Sequence, residues 1–202
     1  MLLRAASVVT LMSVLGSAEP LSQGDRDFAA SQLHATRKLF LDTIAKTSER
    51  QWTYKPAPEV WSLAEIAEHI ALAEQLLFNR AMDASKAPSD ASKQQQFSNR
   101  QRDDVIVKSV PQRDQKFQAP EALKPSGKFT SRQAVIDAFL SRRDATIAYV
   151  LSTNDELRGH FLSHPMLGDM DAYQWVIYTS AHCERHINQM KELKARPDFP
   201  KQ

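Results

Sequence analysis

His182 and His186 are separated by three residues in a stretch whose apolar residues recur at helical spacing, so their imidazoles lie one turn apart on one face. Two imidazoles so placed can reach a single metal ion from a rigid scaffold. A third ligand must then come from another helix. His69 is the candidate, as the one histidine of the second predicted helix, where it shares the inward face of Leu63, Ile66, Ile70, Ala73 and Leu77. Three neutral imidazoles leave coordination positions open for water or substrate, which is the pattern of a catalytic metal site, whereas a structural zinc site is closed by a fourth protein ligand. Imidazole suits zinc and nickel, and also copper and iron. A competing reading takes the three as core histidines satisfied by hydrogen bonds. Gln189 extends the inward stripe past His186 and adds weight to the metal reading.

Other side chains carry weaker chemical signals. Glu65 lies one turn before His69, where it is a candidate general base or outer partner, but its spacing from Ser62 already makes it half of a capping box. Arg143 interrupts the apolar stripe of the third predicted helix, so it meets either a substrate carboxylate or a buried acid such as Glu184. His164, before Pro165 in a turn, is a candidate for the mouth of the site or a loop brace. Cys183 points about 100° away from His182 on a helix and is expected to be a small buried hydrophobe. His34 and His160 are expected at the surface, and Trp52, Trp61 and Trp175 as core or loop anchors.

The elements that must hold these residues are helical. Periodicity predicts helices over residues 26–46, from Ser62 to about residue 81, over 131–152, and from the cap Asp171 to about residue 195. Pro56 and Pro58 separate the first two. A long polar stretch over 82–130 separates the second and third, as in bundles with one long crossover. Strand signals are scarce, so the class is all-α, in one domain. With 26 Lys and Arg against 24 Asp and Glu, the net charge of +2 lacks the basic footprint that nucleic-acid binding needs.

Residues 1–18 differ in kind. Arg4 precedes an uncharged apolar run over 5–15, and Gly16-Ser17-Ala18 fits a cleavage site before Glu19. The run is shorter than the roughly 20 residues needed to span a bilayer. The expectation is a signal peptide over 1–18, a helical domain over 19–202, export to the periplasm or medium, and no integral membrane anchor after cleavage.

A family resemblance gathers these features. The run Trp61-Ser62-Leu63-Ala64-Glu65-Ile66-Ala67-Glu68-His69-Ile70 resembles the opening of the second helix in DinB-like proteins, where Trp-Ser precedes the first metal histidine. His182, His186 and Gln189 resemble the family's last-helix pattern, while Ala119-Pro120-Glu121 with Leu123 and Pro125, and His164-Pro165 with Gly168, resemble loops of one subgroup. The resemblance implies a four-helix bundle of up-down-down-up course, a three-histidine site for zinc, nickel or a similar ion, and often a homodimer. It does not imply one reaction, since members include thiol S-transferases, isomerases and metal-dependent hydrolases. Three functions are therefore open: an exported metalloenzyme acting on a small molecule, a non-catalytic metal- or ligand-binding module, and a helical interaction protein without metal.

Overall fold

The computed structural model describes residues 19–201, so the expected signal peptide lies outside the described residues. The described chain is predominantly helical: α1 Gln23–Ala45, α2 Glu49–Trp52, α3 Leu63–Ser85, α4 Ala91–Phe97, α5 Arg100–Ser109, α6 Arg132–Ser152 and α7 Ala172–Lys194. A 3-10 turn at Glu121–Leu123 precedes α6, and strands β1 Phe161–His164 and β2 Gly168–Asp171 precede α7. No helix of the described residues is long and apolar enough to cross a membrane.

The helix starts follow from local chemistry. Ser62 and Glu65 form the expected capping box at α3, and Asp171 and Gln174 form another at α7, each satisfying two backbone amides that the first turn leaves unpaired. Ser48 and Gln51 do the same for the short helix α2, which lies in the expected connection between the first two helices.

The four long helices pack in pairs, α3 on α7, α7 on α1, α1 on α6 and α6 on α3. Their apolar faces form two clusters. One includes Leu33, Leu77, Ile147 and Ile177, and the other Phe40, Ile70, Phe139 and Cys183. A polar layer separates them along every helix: Thr36, Glu74, Arg143 and Ser180 each fall between members of the two clusters. Arg143 is fully buried and donates to Glu74 at 2.8 and 2.5 Å, to the Leu33 carbonyl at 2.8 Å and to Thr36 Oγ1 at 2.6 Å. Burial opposes its charge, yet the Glu74 carboxylate outweighs this and raises its pKa. Arg143 thus meets a buried acid on α3, not Glu184.

The polar stretch after α3 is more ordered than its composition suggests. It holds α4, α5 and the 3-10 turn, and α5 packs on α7. Arg185 donates to the carbonyls of Val110, Gln112 and Gln115, and the buried Glu68 carboxylate accepts from the amides of Ser126, Gly127 and Lys128 at 2.9–3.1 Å.

The expected absence of strands needs one correction. β1 and β2 form an antiparallel hairpin that pairs Phe161 with Asp171 and His164 with Gly168. Pro165 denies the connection a helix, and Gly168, at φ 70°, supplies the left-handed backbone needed to re-enter the pairing. His160, expected at the surface, is half-buried instead: its Nδ1 donates to the Ala87 carbonyl, beside the isolated bridge between Ser89 and His160. His34 is exposed as expected, and Cys183 is buried.

Candidate metal centre

The pairing of α3 with α7 brings His69 against His182 and His186, with one ligand atom of each within 4.8 Å of the others. The stripes that build the core thereby also bring the three rings together. His69 is buried, and the other two are half-buried.

The proton positions follow from the partners. His69 Nδ1 lies 2.8 Å from the Leu123 carbonyl, which can only accept, so Nδ1 carries the hydrogen and Nε2 a lone pair. His186 Nδ1 lies 2.9 Å from Gln189 Oε1 and donates to it in the same way. Arg113 also donates towards that oxygen, at 3.5 Å, which fixes the amide oxygen on the histidine side. The two free Nε2 atoms face each other at 3.1 Å. His182 makes no hydrogen bond among the described residues, and its neighbours are rings: His69 at 5.2 Å, His186 at 4.5 Å and Tyr178 at 5.9 Å.

Burial keeps all three neutral. Desolvation lowers the pKa of His69 against the help of its carbonyl, pushes His186 down to about 3, and, with the neighbouring His186 and His69, holds His182 well below its ordinary range. Neutral imidazoles, with the lone pairs of His69 and His186 set by their partners, are the protonation state that a metal ion requires.

The donor set fits such an ion. Zinc–nitrogen bonds of about 2.0–2.1 Å in a tetrahedral sphere put the nitrogens about 3.3 Å apart, close to the spacing of the His69 and His186 pair. Their other nitrogens are held by a carbonyl and an amide, the outer partners that orient metal-binding histidines. No carboxylate joins the three histidines in this cluster among the described residues.

The walls are aromatic. Trp61 stands 5.1 Å from the His69 ring, and on the far side Tyr178 is followed by His164 at 4.8 Å. His164 Nδ1 accepts from the amides of Met166 and Leu167, so its hydrogen sits on Nε2, 3.1 Å from Tyr178 Oη. Desolvation lowers the His164 pKa and raises that of Tyr178 to about 12, which keeps the imidazole neutral and the phenol protonated. His164 therefore sits at the site's edge as the sequence reading allowed. Glu65 does not approach: its carboxylate accepts from the Ser62 amide at 2.8 Å and from Lys55 at 2.7 Å. Arg143 is committed to the polar layer. Trp52 and Trp175 are buried anchors.

The Leu123 carbonyl, Tyr178, Arg113 and Arg185 are not among the residues expected at the site from the sequence. Tyr178 had a usable signal, because it precedes His182 by four residues on the same stripe.

The family model of the DinB superfamily matches residues 32–190, a span that begins in α1 and includes all three histidines and Gln189. The chain belongs to the DinB superfamily. Within 153 residues it is 25% identical to the uncharacterized protein YuaE of Bacillus subtilis strain 168, covering 74% of this chain and 86% of that one. No solved structure matches. The DinB-superfamily span thus includes the candidate site and most of each long helix.

Proposed function

We propose that this DinB-superfamily chain holds one divalent ion, zinc or nickel, through His69, His182 and His186, and is an exported metal-dependent hydrolase or transferase. The observation that carries the reading is the pair of lone pairs at 3.1 Å on His69 and His186. Two bare nitrogens repel unless a cation lies between them, and burial makes a proton a poor occupant. A bound ion would supply Lewis-acid chemistry at its open positions. The chain's own part is to aim the imidazoles through Leu123 and Gln189, and to exclude water with Trp61 and Tyr178.

A non-catalytic metal- or ligand-binding module is the second reading, favoured by the lack of any carboxylate in the cluster and by the engagement of Glu65 elsewhere. Metal-loaded protein screened against ester, amide and thiol-transfer substrates separates the two. Turnover that disappears with chelator supports the enzyme, and metal binding without turnover supports the module.

The same reading takes the long helices as a four-helix bundle of up-down-down-up course with one crossover between α3 and α6, in a homodimer. It takes residues 1–18 as a signal peptide. A secreted product beginning at Glu19 is the expected result of N-terminal sequencing, and retention of Met1 would oppose export.

A further inference from the structure

The cluster's lack of a carboxylate and an unspent phenol hydrogen beside it say what should enter it. His69 and His186 each donate from Nδ1 to a neutral oxygen, and no carboxylate joins the three histidines among the described residues. Two guanidiniums lie beside the cluster: Arg185 directly precedes His186, and Arg113 reaches Gln189 Oε1 at 3.5 Å. Arg113 is paired with Glu192 at 2.8 Å, whereas the hydrogen-bond partners of Arg185 are the neutral carbonyls of the crossover. A divalent ion added here would form a part-buried positive centre with no protein carboxylate among its ligands, a state that desolvation disfavours.

Tyr178 supplies the donor. Its oxygen accepts from His164 Nε2, because His164 has both backbone amides on Nδ1 and its only hydrogen on the other nitrogen. The phenol hydrogen therefore has no partner among the described residues. The ring stands one helical turn before His182, on the same face and 5.9 Å from its ring.

We infer that the centre binds a small oxyanion, of carboxylate or phosphate type, which accepts a hydrogen bond from Tyr178 Oη while His164 positions that hydroxyl. The inference rests on the metal reading above. A hydrogen bond to a charged acceptor is stronger than one to a neutral group, so the hydroxyl selects anions over neutral ligands.

The test loads the protein and its Tyr178→Phe variant with cobalt(II) and titrates acetate, then imidazole, while following the visible spectrum. The variant keeps the ring that packs on His164, Trp175 and His182. Equal cobalt content, acetate binding weakened about tenfold and unchanged imidazole binding are expected. Acetate binding alike in both proteins, or equal losses of acetate and imidazole, overturns the role of Tyr178 and leaves the metal site standing. Failure of both proteins to bind cobalt overturns the metal reading and this inference with it.

Discussion

His69 Nε2 and His186 Nε2 lie 3.1 Å apart, and neither has a hydrogen to offer the other, because each ring donates from Nδ1 to an oxygen elsewhere. A hydrogen bond therefore does not hold them together. The helices α3 and α7, with the oxygens of Leu123 and Gln189, hold them in place.

Gln189 should tune the site without supporting the fold. Gln189→Leu removes the acceptor that orients His186, and outer partners of this kind are worth about 10–100-fold in metal affinity. A competition titration of zinc against a chelating dye measures the change, with circular dichroism expected to be unaltered. Equal affinity in both proteins would show that the amide orients nothing.

Arg143 and Glu74 are predicted to act as a unit. Arg143→Met strands a buried carboxylate and should cost about 3–5 kcal/mol in urea denaturation, whereas Arg143→Met with Glu74→Met should recover most of that loss. A double variant as unstable as the single one would refute the desolvation argument.

Capping and stripe made most of this legible in the sequence. Ser62 with Glu65 and Asp171 with Gln174 marked the starts of both helices that carry the three histidines, and the periodicity that buried Ile66 and Ile70 carried His69 inward with them. The hairpin was hidden because four-residue strands are too short to display alternation, and its Pro165 and Gly168 fit an irregular turn equally well. The Leu123 carbonyl was invisible for a different reason: a backbone acceptor carries no residue signature, and the contact joins positions 54 apart. Arg143 announced a need for an acid, but Glu74 was not singled out, since only packing brings α3 to α6.

Asp171 should titrate far above an ordinary carboxyl. Burial raises it from 3.8 to about 7, against the lowering by Arg158 at 3.2 Å. The folded state then binds more protons than the unfolded state between these values, so this group's contribution to stability falls as pH rises from about 4 to about 7. Asp25, on the same Arg158, is also raised by burial, but the guanidinium wins and lowers it, so its contribution is lost on acidification instead. Carbon-detected NMR of the side-chain carboxyls checks both, and an Asp171 midpoint in the ordinary acid range would contradict the assignment.

Arg185 is predicted to order the crossover. Arg185→Ala removes the donor to Val110, Gln112 and Gln115, so amide exchange over residues 110–117 should quicken while the α6 amides stay protected. Uniform exchange in both proteins would mean that the packing of α5 on α7 holds the segment unaided.

The central claim is that three histidines hold one ion. Mass spectrometry of the untagged chain from Glu19, beside a variant with His69, His182 and His186 all changed to Ala, measures bound metal directly. The predicted result is near one equivalent in the native chain and none in the variant. No metal in the native chain, even after incubation with zinc or nickel, would contradict the account and leave the histidines as core residues.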